Sequence, residues 1–334
     1  MFHSIGIDSV GFSLRVKAGD MQNLRITNGY YNGEKRFKCG SGIWVHELKG
    51  GRAYLECNLP KILYKHNIKL IESPEESGKA IDWVENATGL SLHDALISNI
   101  DITSCFSTKY CLPEVIAILN THKKGYTFQP LDDGVYFNSI DKRTTEGEAK
   151  KRTSRFTFAV YDKKVEYCRN NRKKSLPSDI EIKPEESLIR LEMRLRRAVR
   201  AQLHNAGVWS EYSFIGSDLT SNAGFISCIR FLDKRLPGFL FLNNRKGIRT
   251  KKCYKNRTAL YEVVFKEALQ TDWYVGKLNG MIQTDEIAPK LFREEMERCM
   301  KAREIGVGEN VLQTVRDSCN AVYRQYQIPI IRKY

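Results

Sequence analysis

Up to about residue 200 the chain is built from short runs in which apolar and polar positions alternate, and beyond that the alternation gives way to helical spacing. In SRFTFAVYDKKVEYCRNNR (154–172), Phe156, Phe158 and Val160 alternate with Arg155, Thr157, Ala159 and Tyr161. This is the period-two pattern of a half-buried strand, with Tyr161 on its polar face near the end and a short basic helix after it. Residues 4–16 predict a first strand loosened by glycine. GIWVHELK, Gly50–Gly51 and RAYLECN predict an antiparallel hairpin whose second strand shows Tyr54, Glu56 and Asn58 on one face. A strict two-residue glycine turn pairs His46 with Leu55, on the face away from Glu56. Pro60 opens a helical turn, KILYKH. Ser73, Pro74, Glu75 and Glu76 start a helix running to about Asn86, with a capping serine, proline in the first position and acids in the first turn.

LHDALISNIDITSCF predicts a strand with Asn99, Asp101 and Thr103 on its polar face, and Leu112–Pro113–Glu114 starts a helix through Leu119. A strand region at Tyr126–Asn138 is interrupted by Asp132, Asp133 and Gly134; residues 139–153 are a polar loop or arm. In SLIRLEMRLRR, Arg190, Glu192, Arg194 and Arg196 oppose Leu191, Met193 and Leu195, while Leu188, Leu191, Leu195 and Val199 also fit a helix. A strand is expected first, with helix from about Arg196. Helical runs at 219–235, 257–270, 288–304 and 310–326 predict a second, helical domain. The expectation is an α+β chain: residues 1–205 form an antiparallel sheet of five or more strands with helices on one face and the active site on the other. Residues 206–334 follow as a mainly helical domain for origin DNA or a partner.

Charge narrows the partners. The 334 residues carry 54 Lys and Arg against 39 Asp and Glu, a net charge of +15. Such a surplus favours an anionic partner, nucleic acid first. No apolar run is long enough to span a bilayer, and no signal peptide begins at Met1, so no membrane association and a cytoplasmic setting are expected. The nine cysteines include no Cys-x-x-Cys pair, and the six histidines are scattered, so neither a disulfide framework nor a zinc site is indicated.

Three strands each present one acid on a polar face: Glu56, Asp101 and Glu192. An isolated acid there is ordinarily just solvated. Glu192, however, sits among Arg190, Arg194 and Arg196, a face suited to phosphates, and an acid within it repels its ligand unless a cation lies between them. Hard carboxylate oxygens suit Mg²⁺ or Mn²⁺, which bridge to phosphate oxygens. A phenol, Tyr161, with Lys163 and Lys164 close by, adds a candidate nucleophile; Tyr136 and Tyr167 compete for that role. The basic run Arg245, Lys246, Arg249, Lys251 and Lys252 is a candidate duplex contact, or else a solvated loop.

Taken in order, LECNLPKILYKHN, NIDIT, VYDKKVE and IRLEMRLRR resemble the motif series of rolling-circle replication initiators. The resemblance is to the phage and plasmid replication protein family typified by the filamentous-phage gene II nickase, together with the initiators of small Gram-positive plasmids. It covers about residues 42–200. It implies a Rep-like sheet and a metal-dependent endonuclease that nicks and rejoins origin DNA through a 5′-phosphotyrosyl intermediate, in a bacterial host where a helicase and a polymerase act with it. Tyr161 resembles the nucleophile, with Lys163 and Glu166 completing its motif, and Glu56, Asp101 and Glu192 resemble the metal-binding acids. Arg190, Arg194, Arg196 and Lys164 would meet DNA. Two features depart from the pattern: Asn99 stands where arginine is expected, and the paired histidines of the wider HUH nuclease class are not visible. A basic DNA- or RNA-binding regulator without catalysis is the rival expectation, and an HUH-type relaxase or transposase is a second one.

Overall fold

The structure, a computed structural model, describes residues 2–16, 29–31, 34–38, 42–48, 51–119, 126–131, 134–139, 155–172, 175–240 and 306–328. The alternating runs assemble into one antiparallel sheet of ten strands among these residues. The strands are β1 (His3–Arg15), β2 (Gly29–Tyr31), β3 (Glu34–Lys38), β4 (Ile43–Leu48), β5 (Arg52–Asn58), β6 (Leu96–Thr108), β7 (Tyr126–Leu131), β8 (Gly134–Ser139), β9 (Phe156–Asp162) and β10 (Ser187–Arg196). Their order is β2-β3-β4-β5-β1-β6-β10-β9-β8-β7, which puts the longest strands, β1 and β6, in the middle with β10 and β9 beside them. The fold is α+β. The period-two reading of residues 187–196 holds over the whole of β10, and the helix follows it from Val199.

The described helices are α1 (Leu59–Tyr64), α2 (Pro74–Thr88), α3 (Leu112–Ala117), α4 (Lys163–Asn171), α5 (Val199–Asn205), α6 (Gly216–Leu219), α7 (Asn222–Arg235) and α8 (Val307–Gln325). Helix α2 starts as its sequence dictates: Ser73 accepts the Glu76 N–H, and Pro74 takes the first position. Ile81 and Val84 of α2, Phe225 and Ile229 of α7, and Val311 and Val315 of α8 join one core with Ile7, Ile102, Leu191 and Phe158 of the sheet. The described helices beyond residue 205 therefore pack on the sheet itself, and no break in packing marks position 205–206 among the described residues. The helical runs expected at 257–270 and 288–304, and the basic run at 245–252, lie outside the described residues.

One helix departs from the expected single layer. Helix α4 lies against the opposite face of the sheet, where Tyr167 packs with Ile68, Cys105 and Leu188 in a small separate core. The segment before α2 crosses the same end of that face. Ile7 and Ile71 exchange backbone hydrogen bonds of 3.0 and 3.1 Å. The crossing is so close that a Cβ on Gly6 would fall 1.8 Å from the Ile71 carbonyl oxygen.

Candidate active site

Strand register decides which polar side chains meet. Residues directly opposite in an antiparallel pair share a face. Glu192 lies opposite Thr103 and Ala159, Arg194 opposite Asp101 and Thr157, Arg190 opposite Cys105 and Tyr161, and Arg196 opposite Asn99. Asp101, Glu192, Tyr161 and the three arginines therefore share the face that the main helix layer leaves uncovered. On β8, Gly134 lies opposite Tyr161. Its missing side chain matters: a Cβ there would sit 2.5 Å from that of Tyr161.

Strand β1 adds a residue that alternation alone hides. Its pairing with β6 is regular to Ile7–Ile102 and resumes at Val10–Ile100, so one extra residue bulges between them. The bulge brings Asp8 to the site face, where Asn58 Nδ2 donates to Asp8 Oδ1 and to Ser9 Oγ, both at 3.1 Å. Ligand oxygens of Asp8, Asp101 and Glu192 lie within 4.8 Å of one another, and all three residues are buried.

Each of these acids has an arginine. Arg194 Nη2 donates to Glu192 Oε2 at 2.6 Å. Arg196 grips Asp101 with both terminal nitrogens, Nη2 to Oδ2 at 3.0 Å. Arg190 Nη1 lies 3.5 Å from Asp8 Oδ2, and its Nη2 donates to the carbonyls of Asn67 and Ile68. The Tyr161 hydroxyl donates to Glu192 Oε2 at 3.3 Å.

Crowding spreads the acidities. Burial opposes ionisation of Glu192, yet Arg194 and Arg190 hold its carboxyl down to about 2. Burial pushes Asp101 up to about 6 against the pull of Arg196, and the Glu192 charge adds to the rise. Asp8 is raised as well, chiefly by burial, with Glu192 again contributing. Burial and the Glu192 charge drive the Tyr161 phenol well above its ordinary value. At neutral pH it is a protonated, weak nucleophile.

The donor set fits a hard divalent cation: three carboxylates converge from β1, β6 and β10. The same pocket also holds donors suited to an anion. Arg190 Nε and Nη1 and Arg194 Nε are buried without a hydrogen-bond partner. Acids for a cation and unused guanidinium N–H groups for an anion, side by side, suit a metal ion together with a phosphate. A second gathering, Asp82, Glu85 and His93, is already occupied with holding the end of α2: His93 Nε2 lies 2.9 Å from Asp82, and Glu85 Oε1 accepts the backbone N–H groups of Leu92 and His93.

Several expected residues fall elsewhere. Glu56 shares the site face, opposite Gly11 and Trp44, but it is outside the three-acid group, where Asp8 stands instead. Lys163 does not continue the strand beside Tyr161. It is the first residue of α4, capped by Asp162, and is buried with its ammonium 2.6 Å from Glu166 and 6.0 Å from the centre of the Tyr161 ring. The larger influences on the phenol are burial and Glu192, which raise it, and Arg190 and Arg194, which lower it. Arg190 is fully buried, so a phosphate would have to enter the pocket to meet it. Lys164 is half-buried on α4. Tyr136 shares the site face beneath the Arg194 guanidinium, 5.2 Å from it, whereas Tyr167 points into the small core.

The glycine hairpin also differs from expectation. Leu48 pairs with Arg52, one position off the register of a strict two-residue glycine turn, and Gly51 has φ +64°. In that register His46 pairs with Tyr54 on the Glu56 face.

No protein-family model matches the chain, and no curated protein sequence matches it. Among solved structures it is similar to a rolling-circle replication initiator protein from Geobacillus stearothermophilus, with a TM-score of 0.40 and 9% identity over 79% of this chain and 96% of that one. A likeness that distant says nothing of residue roles or activity.

Proposed function

We propose that the chain is a metal-dependent DNA-nicking and strand-rejoining enzyme of the rolling-circle initiator kind, with Tyr161 as nucleophile. The observation that carries this is the Tyr161 hydroxyl hydrogen-bonded to Glu192 inside a cluster of three buried acids rimmed by arginines. Glu192 orients the phenol. Arg194 and Arg196 hold the phosphates on either side of the scissile bond. The Tyr161 oxygen forms a bond to phosphorus, the bond from phosphorus to the 3′-oxygen breaks, and a 3′-hydroxyl is released. Because the phosphotyrosyl ester keeps the energy of the broken bond, the reverse attack rejoins the strand. A divalent ion held by Asp8, Asp101 and Glu192 would polarise the phosphate and supply the positive charge that the high-pKa phenol needs. The net charge of +15 suits a DNA substrate.

The test is SDS-resistant transfer of label from a single-stranded origin oligonucleotide to protein in Mg²⁺ or Mn²⁺. Tyr161→Phe should abolish the adduct and leave DNA binding intact; a variant that still forms the adduct or nicks a supercoiled origin plasmid at the normal rate would overturn the assignment. A second reading has one observation in its favour. Three acids each already paired with an arginine also describe a static charge network in a sheet that merely binds nucleic acid. Failure of the acid cluster to bind Mn²⁺ would favour it.

A further inference from the structure

The three arginines of the site are not equivalent. Arg190 is fully buried and pinned by two backbone carbonyls. Arg194 and Arg196 stand at the rim, with side chains 28% and 24% exposed. Neither has a comparable anchor. Arg196 has only a 3.5 Å contact to the Leu195 carbonyl beyond its carboxylate, and Arg194 leaves Nε without a hydrogen-bond partner while its guanidinium rests over the Tyr136 ring.

Within the cluster, the charges of Asp8, Asp101 and Glu192 cancel those of Arg190, Arg194 and Arg196. A divalent ion added alone would leave its charge uncompensated in a poorly solvated site. A phosphate added alone would find Arg194 Nη2 and both terminal nitrogens of Arg196 already committed to carboxylates, and the unpaired N–H groups of Arg190 and Arg194 buried. Both ligands fit together if the two rim arginines change partners.

Resting on the metal-and-DNA reading above, we propose that Arg194 and Arg196 are exchangeable counterions. Each covers its carboxylate in the ligand-free protein and turns to a DNA phosphate when a divalent ion takes the carboxylates. Metal and single-stranded DNA then bind weakly apart and tightly together, and each must tighten the other by the same factor.

The experiment uses Tyr161→Phe protein, which cannot form an adduct. Affinity for a short fluorescein-labelled single-stranded oligonucleotide is read by anisotropy with and without Mn²⁺ at fixed ionic strength. Affinity for Mn²⁺ is read by electron paramagnetic resonance with and without the oligonucleotide, after subtracting the ion bound by DNA alone. The expected result is a tightening of roughly tenfold or more, equal in the two directions, that disappears when Asp101→Asn and Glu192→Gln are added. Arg196→Gln should raise Mn²⁺ affinity in the absence of DNA and shrink the coupling, and the reciprocity measurement stands even where that variant fails to fold. If Mn²⁺ and DNA both bind and neither tightens the other, counterion exchange is wrong while the nicking assignment survives. If the Asp101→Asn, Glu192→Gln protein binds Mn²⁺ as well as its parent, the metal site itself is wrong and both ideas fall.

Discussion

Asp101 and Glu192 sit in one cluster yet hold their protons very differently, at about 6 and about 2. Cation binding needs both as carboxylates. Above about pH 7 both are ionised; as pH falls through 6, Asp101 takes up a proton, while Glu192 stays charged. Mn²⁺ affinity should therefore fall as pH drops through 6, by about tenfold per pH unit for each competing proton, with Asp8, whose carboxyl is also raised by burial, adding a second. Isothermal titration across pH 5 to 8 checks this, and a flat profile would remove Asp101 from the ligand set. Asp8→Asn should weaken Mn²⁺ by more than the roughly 10- to 100-fold that loss of an outer-sphere partner costs, whereas Glu56→Gln should leave it nearly unchanged. Of the site, Tyr161, Asp101 and Glu192 were legible because strict alternation fixes their face. Asp8 was not singled out, although a trace of it exists: the apolar parity of β1 moves from Ile5 and Ile7 to Val10, Phe12 and Leu14, as one bulged residue requires. His46 was misplaced for the mirror-image reason, since a one-position change at the turn shifts register without altering the pattern on either strand.

At the level of elements, the junction of β9 and α4 positions Tyr161, the proposed nucleophile. Asp162 ends the strand and caps the helix, accepting the N–H groups of Lys164 and Val165 at 2.9 and 3.1 Å. Asp162→Ala should cost about 0.5–2 kcal/mol of stability, read in a urea melt. It should slow adduct formation more than it weakens DNA binding, because it loosens the strand end that carries Tyr161. Proline, acid and serine signals located α1, α2 and α3 closely, each being a local cap. What stayed hidden was α4 lying against the site face, a tertiary choice made by the apolar side of Tyr167 and by the segment at Ile68 and Leu70 rather than by any local signal.

Across the whole molecule, Phe239 ties the far half of the sheet to the helix layer. Its ring meets Phe158 at 4.4 Å, Tyr126 at 5.2 Å, Phe137 at 5.7 Å and Phe156 at 5.8 Å between centroids. Phe239→Ala should destabilise the protein by about 3–5 kcal/mol, seen as a lowered thermal midpoint. The sheet and its helix-covered face followed from periodicity, but a boundary placed where strands give way to helices did not foresee α7 and α8 closing the same core. Among the described residues, the change of texture marks a change of element within one core.

Tyr161 stands on an interior strand, with β10 hydrogen-bonded on one side and β8 on the other. A nucleophile on a loop or a frayed helix can carry its cargo away from the point of attack. This one has no such lever: displacing it means unzipping two ladders. On the proposed chemistry the attached DNA end is therefore parked, and the travelling has to be done by the other strand. Turnover would then be governed by how fast a free 3′ end finds a stationary target, so that the rejoining rate follows the length and slack of the DNA rather than any hinge in the protein.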